Sequence, residues 1–418
     1  MKSSKILLVL VIALLALGSF TVSLAQDATP APTEVFVPSE EGTLTIWIDG
    51  ARLPAIEAVG AKFTEQYGIP VRTQQMGFGD IRNNLVLGGP VGEGPDLIVG
   101  AHDWVGQLYD NGLLSPLEFS DELAANIDPV ALTAFTYDGK VLGLPLKTEA
   151  IGIYYNTDII SEVPNTWQGL VDAAEQAVKD GKAERGLAIP NGGGDPYHHY
   201  PFFTGFGGYV FGRDAEGNYN PQDVGLDNAG GLKAVEEIDR LVKADVLNAA
   251  VDYGAAQSLF VDGKLAMWMT GPWALGTLRD SGVKFAVAPI PNMDGTDTPA
   301  PFVGAQGFMI NSFSQNQLLA QAFLTEFMAT DEAMQALYEA DPAIPAWLPL
   351  KNSIDDQDLI NFGKSVANGQ PMPAIPQMSA VWTAWGNAIT LIYQQKEDPD
   401  KAITEAADAI RAEIAKSQ

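Results

Sequence analysis

The sequence predicts an α/β protein with two large domains, and three observations lead to this prediction. The chain has 418 residues, which is more than one ordinary hydrophobic core accommodates. Hydrophobic residues make up 46% of it and charged residues 18%, as is typical of a globular chain. Short β-rich runs alternate with helical patterns, and this alternation indicates a mostly parallel sheet covered by helices.

The N-terminal segment 1–25 predicts a secretory signal peptide. Lys2 and Lys5 form a basic start, Ile6–Leu17 is an apolar run, and small residues end the segment. The run is short for a membrane span, although an uncleaved N-terminal anchor is an alternative. Residues 26–40 are rich in Pro, Thr and Ala, so they predict a flexible tether in front of the folded body.

The composition excludes several classes of function. The chain has no cysteine, which excludes disulfides, a catalytic thiol, a cysteine–zinc site and a lipid-modified cysteine. The net charge is -28, and no stripe of Lys and Arg is present, so neither nucleic acid nor an anionic membrane is expected as a partner. We interpret the negative net charge as a feature that keeps the protein soluble outside the cell.

The elements follow in order along the chain. Thr43–Ile48 alternates in polarity and is β-rich, which predicts a strand. Ile56, Val59 and Phe63 then recur at helical spacing, and Gly68 ends that helix. Further predicted strands are Pro70–Gln75, Asp96–Ala101, Leu265–Thr270 and Phe302–Asn311; further predicted helices are His102–Gly112, Thr166–Lys179, Ala229–Lys243, Gly254–Phe260 and a C-terminal helix with Ile403, Ala407, Ile410 and Ile414 on one stripe.

The ends of the predicted strands indicate a first candidate site. In open α/β sheets, ligands bind beyond the carboxyl ends of the strands. Asp49 and Arg52 follow one predicted strand, and Asp103 and Trp104 follow another. We therefore expect these four side chains near a site.

The stretch Gly192–Tyr209, GGGDPYHHYPFFTGFGGY, combines glycines with aromatic and histidine side chains. Adjacent His198 and His199 would point to different faces of a helix or a strand, so a metal site is not expected there. Tyr197 and Tyr200 carry a polar tip on a large face and suit a wet pocket, whereas the phenylalanines suit packing behind it. We expect a loop that runs into a helix, with the histidines incidental.

Catalytic motifs give a weaker indication. No G-x-S-x-G and no G-x-x-x-x-G-K-[ST] motif occurs. Glu149, Asp103 and Asp195 could supply the two carboxyl groups that a glycosidase needs. The same residues hold sugar hydroxyls without any reaction, because an ionised carboxylate accepts several hydrogen bonds. The acids therefore leave a hydrolase and a binding protein both open.

Three tryptophans stand in contexts that favour a ligand site. Trp104 follows Asp103, Trp273 lies in the turn of TGPWALG, and Trp382 lies near a predicted helix start. Sugar rings present apolar C–H faces that fit flat aromatic surfaces, while their hydroxyls require polar partners. Aromatic residues together with acids therefore match a carbohydrate pocket.

Seven stretches carry a resemblance to a known family. In chain order, from about residue 41, they are GTLTIWIDG, GEGPDLIVGAHD, LKTEAIGIYYNTDII, DVGLDNAGG, AMWMTGPWA, PFVGAQGFMIN and MPAIPQMSAVW. The ordered set resembles the periplasmic solute-binding proteins of ABC importers, and most closely the maltose/maltodextrin branch. The resemblance implies a two-lobed fold with three hinge crossings, near Thr148, Pro299 and Leu350, and a ligand cleft between the lobes. The implied N-terminal lobe is 41–147 plus 300–349, and the implied C-terminal lobe is 148–299 plus 350–418.

The resemblance also implies a set of sugar-binding residues. Polar contacts are implied for Arg52, Asp103, Glu149 and Asp195, and aromatic contacts for Tyr197, Tyr253, Trp273 and Trp382. The chain departs from the branch at four positions, where Trp104 and Gly386 replace arginines and Tyr200 and Leu275 replace tryptophans. Trp104 and Tyr200 are retained as candidate contacts.

The predicted function is a non-enzymatic, exported receptor that captures maltose or maltodextrins and delivers them to the permease of an ABC importer. It is expected at the periplasmic or extracellular face of the cytoplasmic membrane, as a monomer without cofactor or metal. An exported glycoside hydrolase and a binding protein for another disaccharide are the alternatives.

Overall fold

The computed structural model describes residues 38–50, 52–191, 194–214, 218–293 and 298–416. The predicted signal peptide and all but the last three residues of the predicted tether lie outside these ranges. Two principal sheets, each covered by helices, make up the two lobes of the fold. Among the described residues, none of the helices combines the length and the apolar character that a membrane span requires.

The first sheet forms around three parallel strands and one long antiparallel strand. Leu44–Ile48 lies between Val71–Gln75 and Leu97–Ala101, and Phe302–Asn311 runs antiparallel beside the last of these. Leu144–Glu149 pairs with the other edge of Phe302–Asn311. The short strands Leu114–Ser115, Ile344–Pro345 and Gln370–Pro371 complete the sheet.

The helix Leu53–Tyr67 shows how the sequence covers this sheet. Pro54 suits its first turn, and Gly68 ends it with a left-handed φ of 71°. Ile56, Val59 and Phe63 are buried in the core that also contains the strands Leu44–Ile48 and Leu97–Ala101. The helical spacing of apolar residues in the sequence thus identifies the face of this helix that packs on the sheet.

The second sheet has the order Phe285–Ala288, Gly152–Asn156, Leu265–Thr270, Arg185–Ala188. Leu265–Thr270 is buried along its whole length, as its apolar sequence predicts. The hydrophobic core packed on this second sheet includes the buried aromatic residues Tyr154, Phe260, Trp268 and Phe362. Two hairpins lie outside both sheets, Thr136–Tyr137 with Lys140–Val141 and Phe211–Arg213 with Tyr219–Val224.

The helices complete both lobes. They are Leu53–Tyr67, Phe78–Gly88, Val105–Asp110, Asp121–Ala124, Pro129–Ala134, Trp167–Lys179, Pro196–Phe206, Ala229–Lys243, Tyr253–Val261, Leu275–Ser281, Gln317–Ala322, Asp331–Ala340, Leu348–Lys351, Gln357–Asn368, Ser379–Tyr393 and Pro399–Lys416. A π-helical turn spans Phe323–Met328, and 3₁₀ turns span Gly89–Val91, His102–Trp104, Pro272–Ala274 and Pro376–Met378.

The chain passes between the two sheets more than once. It leaves the first sheet at Glu149 and enters the second at Gly152, then leaves the second at Ala288 and returns at Phe302. After Ile344–Pro345 it continues into Gln357–Asn368, where Asn361 donates to the carbonyl oxygen of Val287 at 2.9 Å. The hinge positions and lobe boundaries inferred from the sequence stay predictions.

Candidate functional site

A cavity of about 420 Å³ lies between the two lobes, a volume in the range of small-molecule sites. The first lobe contributes strand ends and the helix Phe78–Gly88, and the second contributes the start of Pro196–Phe206 and the turn after Leu265–Thr270. The lining residues are Phe78, Gly79, Arg82, Ala101, Asp103, Trp104, Glu149, Asp195, Tyr197, His198, Trp273, Gly304, Gln306, Met372 and Trp382. The structure thus brings seven predicted site residues together: Asp103, Trp104, Glu149, Asp195, Tyr197, Trp273 and Trp382.

Glu149 lies on the cavity wall at the end of Leu144–Glu149 and is 4% exposed. Gln306, on the neighbouring strand, donates to Oε1 of Glu149 at 2.5 Å. The ammonium of Lys147 is 3.9 Å from Oε2 and 2.6 Å from Asp341, so its charge is shared between two carboxylates. Among the described residues, Oε2 of Glu149, Oε1 of Gln306 and the hydroxyl of Tyr197 have no hydrogen-bond partner.

Gly304 allows these polar groups to converge. A Cβ atom at this position would lie 3.2 Å from Cγ of Glu149 and 3.6 Å from the hydroxyl oxygen of Tyr197. Glycine therefore leaves space between a first-lobe acid and a second-lobe phenol. Burial raises the pKa of Tyr197 well above its usual value, and the charges of Glu149 and Asp195 raise it further, so its hydroxyl stays protonated.

Asp103 follows the strand Leu97–Ala101 and accepts a hydrogen bond from Nε1 of Trp382 at 3.2 Å. Burial raises the pKa of the Asp103 carboxyl, while the nearby His102 and Arg82 partly oppose this effect. His102 itself joins two backbone segments: its Nδ1 accepts from the N–H of Ala305 at 3.0 Å, and its Nε2 lies 3.1 Å from the carbonyl oxygen of Met372. This pattern fits a neutral ring with its proton on Nε2.

Asp195 caps the helix Pro196–Phe206. One carboxylate oxygen accepts from the backbone N–H of His198 at 3.1 Å, and the other lies 2.6 Å from Nδ1 of the same residue. Burial would raise the pKa of Asp195, but the neighbouring His198 and His199 outweigh it and lower the pKa below its ordinary value. His198 also lies 3.1 Å from Thr270 and lines the cavity, so the expectation that it is incidental does not match its position.

His199 lies behind the site and is fully buried. Its Nδ1 is 2.7 Å from the carbonyl oxygen of Asp195, and its Nε2 is 2.8 Å from the hydroxyl of Tyr393. Burial lowers the pKa of His199 to about 4. This residue therefore fixes the start of the helix and does not face the cavity.

Two of the cavity aromatics lie next to Phe302, the first residue of Phe302–Asn311. The ring centroid of Phe302 lies 6.0 Å from that of Tyr197 and 5.9 Å from that of Trp382. Tyr197 and Trp273 are also 6.0 Å apart. Tyr197, Trp273 and Trp382 are half-buried, whereas Phe302 is 1% exposed. Two partly exposed rings, those of Tyr197 and Trp382, therefore lie next to the buried Phe302, and Trp273 lies beside Tyr197 in the lining of the same cavity.

Three predicted residues do not line this cavity. Arg52 forms an ion pair with Asp49, which holds it beside the cavity. Tyr200 stacks on Phe302 at a centroid distance of 3.7 Å and is 3% exposed, because its position on the helix faces the core. The ring centroid of Tyr253 lies 5.2 Å from that of Trp268, and Tyr253 packs against the core of the second lobe.

Sequence reasoning also missed several lining residues. Phe78 and Arg82 lie four residues apart after the strand Val71–Gln75, so the strand-end argument could have selected them. Gln306 is a polar residue inside the apolar strand FVGAQGFMIN, which is a second available signal. Met372 follows the short strand Gln370–Pro371 and begins the stretch MPAIPQMSAVW, but its residue type alone gave no reason to select it as a contact.

A larger depression of about 580 Å³ lies on the second lobe, beside Trp167–Lys179 and Arg185–Ala188. Its charged side chains form ion pairs, for example Arg185 with Asp245 at 2.9 Å and Lys179 with Glu175 at 3.1 Å. Aromatic side chains are absent from its lining. The chemistry of a ligand site is therefore found in the cavity between the lobes. Within the described ranges no cluster of three His, Asp or Glu residues could hold a metal ion.

The two helix-covered sheets with an aromatic, acid-lined cavity between them define the class of two-lobed solute-binding proteins. The chain belongs to the bacterial extracellular solute-binding protein family, whose sequence model matches residues 58–361. The family and the two-lobed α/β fold class predicted from the sequence are both confirmed.

Three curated relatives are similar over most of the chain. A galactooligosaccharide-binding protein of Bacillus subtilis is 26% identical over 406 residues, which cover 95% of each chain. A maltodextrin-binding protein of the same organism is 29% identical over 379 residues, or 88% of each chain. A maltotriose-binding protein of Pyrococcus abyssi is 30% identical over 335 residues, which cover 78% of this chain and 71% of the relative. All three are named as binding proteins.

Proposed function

We propose that this protein is the sugar receptor of an ABC importer and that it binds a neutral oligosaccharide of the maltodextrin type. The observation that carries this proposal is the group of buried polar atoms on Glu149, Gln306 and Tyr197 that lack hydrogen-bond partners among the described residues. A buried polar atom without a partner costs about 1–3 kcal/mol. A ligand rich in hydroxyl groups would satisfy these atoms, because each hydroxyl both donates and accepts.

The rings around the cavity support a sugar over other polar ligands. Tyr197, Trp273 and Trp382 offer faces against which the C–H faces of a pyranose can pack. Asp103, Glu149 and Asp195 give the cavity three carboxylates, which disfavour an anionic ligand. The names of the relatives suggest α-linked glucose oligomers or galactooligosaccharides as candidates.

The proposed binding residues are those predicted from the sequence: Arg52, Asp103, Trp104, Glu149, Asp195, Tyr197, Tyr200, Tyr253, Trp273 and Trp382. Six of the seven that line the cavity are proposed as direct contacts, and Trp104, which is 4% exposed, is proposed to support the wall from behind. Arg52 and Tyr200 are also proposed to act indirectly. Arg52 packs on Phe78 of the cavity wall, and Tyr200 packs on the buried Phe302, which lies next to Tyr197 and Trp382. For Tyr253 the packing on Trp268 supports only an indirect role.

The rest of the proposal concerns how the receptor works in the cell. We propose an exported monomer at the outer face of the cytoplasmic membrane, with residues 1–25 as signal peptide and 26–40 as tether. Closure of the lobes about hinges near Thr148, Pro299 and Leu350 would stabilise the state that the permease subunits recognise. No reaction of the sugar is proposed.

A glycoside hydrolase is the alternative to be tested. It would require one carboxyl group to act as acid and a second to act as base or nucleophile. Each acid of the cavity instead has a neighbour that engages it: Asp103 with Trp382, Glu149 with Gln306, Asp195 with His198. This arrangement favours binding.

Thermal-shift measurement with maltose, maltotriose, a galactooligosaccharide, trehalose, sucrose and cellobiose tests the proposal. A ligand at 100 times its Kd adds about 2.7 kcal/mol to the free energy of unfolding, so the cognate sugar should raise Tm by several degrees. Chromatography of the same mixtures checks for hydrolysis. No shift with any of these sugars, or release of glucose from maltotriose, would contradict the proposal.

A further inference from the structure

Phe78 and Arg82 form a first-lobe wall of the cavity that the predicted site residues do not include. They lie four residues apart on Phe78–Gly88 and therefore share one face of that helix. The ring centroid of Phe78 is 4.8 Å from that of Trp104, and the guanidinium carbon of Arg82 is 5.9 Å from the same ring.

Trp104 supports this wall from behind. It is 4% exposed, whereas Phe78 and Arg82 are only half-buried. Its ring lies against Gly100, where a Cβ atom would come within 2.3 Å of it. The surfaces that face the cavity on this side are therefore those of Phe78 and Arg82.

Arg52 also contacts the ring of Phe78. Its guanidinium carbon is 5.1 Å from the ring centroid of Phe78, at cation–π distance. Its charge is neutralised by the ion pair with Asp49, and its Nε lies 3.9 Å from Asp341. Arg52 thus holds Phe78 in place and has no free charge to offer a ligand.

Arg82 differs from Arg52 in this respect. In the described part of the chain no carboxylate lies within 4.0 Å of its guanidinium, and its contact with Asn83 is long, at 3.4 Å. Burial lowers the pKa of Arg82, and the charge of Asp103 opposes this effect. The side chain still keeps its charge, because an arginine is protonated at any ordinary pH. Several N–H donors therefore remain for a ligand in the cavity.

We propose that Phe78 and Arg82 are direct sugar contacts, a hypothesis that rests on the proposed function and extends it to the first lobe. A sugar ring packs on Phe78, Arg82 donates to its oxygen atoms, and Asp103 accepts from a neighbouring hydroxyl. A hydroxyl pair suits this arrangement because each hydroxyl is both donor and acceptor. The sugar is then held by aromatic faces from both lobes, with Tyr197, Trp273 and Trp382 on the opposite side.

Calorimetric titration with maltotriose tests this assignment. Arg82→Met removes the donors but keeps an unbranched side chain that matches arginine as far as Nε, and Phe78→Ala removes the ring. We expect each to raise Kd by about tenfold, in line with the loss of a hydrogen bond to a charged group or of an aromatic contact. The matched controls are Arg72→Met and Phe313→Ala, which alter exposed side chains of the same lobe. Both controls should leave Kd within twofold.

The outcomes separate the two hypotheses. If the wild type binds maltotriose and both variants bind it within twofold of the wild type, the Phe78–Arg82 assignment is wrong and the proposed function stands. If the wild type binds none of the sugars in the thermal-shift screen, the proposed function and the Phe78–Arg82 assignment are both wrong. If Arg82→Met does not fold, Arg82→Lys replaces it: a threefold or larger rise in Kd supports the contact, because lysine lacks the planar fork, and a smaller one overturns it.

Discussion

Trp382 donates its indole N–H to the carboxylate of Asp103, at a distance of 3.2 Å, and so links a second-lobe helix to a strand end of the first lobe. Trp382 also offers its ring to the cavity, 5.9 Å from Phe302. The same side chain therefore serves two purposes, a hydrogen bond between lobes and an aromatic surface for a ligand.

Substitutions of Trp382 separate these two purposes. Trp382→Phe removes the N–H and leaves Asp103 without this partner, so we expect the free energy of unfolding to fall by about 1 kcal/mol. Sugar affinity should change little, since a ring remains. Trp382→Ala should in addition weaken binding by about 1–3 kcal/mol. Denaturant unfolding and calorimetry measure the two quantities, and equal affinities for the Phe and Ala variants would show that the ring is not a ligand surface.

Tyr197 is expected to respond differently, because its hydroxyl has no partner among the described residues. Tyr197→Phe removes an unsatisfied buried group, so the Tm of the ligand-free protein should stay the same or rise. Sugar affinity should fall by about 1 kcal/mol, as the hydroxyl is a proposed ligand contact. Tyr197→Ala should weaken binding by about 1–3 kcal/mol through loss of the ring.

A clear drop in the ligand-free Tm of Tyr197→Phe would contradict this interpretation of the hydroxyl. Unchanged calorimetric affinity of Tyr197→Ala would contradict the role of the ring.

Much of the fold follows from local sequence patterns. The buried strands Leu44–Ile48, Leu97–Ala101 and Leu265–Thr270 are apolar runs, and their positions are predicted within one or two residues. The helix Phe78–Gly88 was not predicted, because GFGDIRNN mixes glycine and polar residues and shows little helical periodicity. Its two cavity residues were missed with it.

The site is less accessible to sequence reasoning, since its contacts join distant parts of the chain. The strand-end argument selects Arg52, but its ion pair with Asp49 holds it beside the cavity, and Asp341, which also approaches it, is distant in sequence. Tyr200 and Tyr197 lie three residues apart on one helix, yet one is buried against Phe302 and the other is partly exposed to the cavity. Only the packing of the helix determines which of the two tyrosines faces the cavity.

Gly304 provides a test of cavity shape. In Gly304→Ala the new methyl group would lie 3.2 Å from Glu149 and 3.6 Å from the hydroxyl oxygen of Tyr197, inside the space proposed for the sugar. We expect Kd to rise by about fivefold or more, equivalent to about 1 kcal/mol. Gly276→Ala is the matched control, because a Cβ atom there meets nothing within 4 Å. Equal affinities of the two variants would place the ligand away from Gly304.

The pH dependence of stability should reflect the buried histidines. Burial lowers the pKa of His199 to about 4 and also lowers the pKa of His102. A histidine whose pKa is lower in the folded state binds fewer protons than in the unfolded state, so stability falls as pH falls. For His199 the loss should run from about pH 6.5 to pH 4 and amount to about 3 kcal/mol.

Urea unfolding at pH 7, 6, 5 and 4 measures this effect. His199→Gln should reduce the dependence on pH, because glutamine does not titrate, and the exposed substitution Lys62→Gln should leave it unchanged. An identical pH dependence in wild type and His199→Gln would exclude His199 as a source.

Calorimetric titration of the wild-type protein with maltotriose, followed by chromatography of the recovered sugar, tests the central claim most directly. The account predicts saturable binding of one sugar per protein molecule and recovery of intact maltotriose. Absence of binding heat at several temperatures, or conversion of the sugar to smaller products, would contradict it.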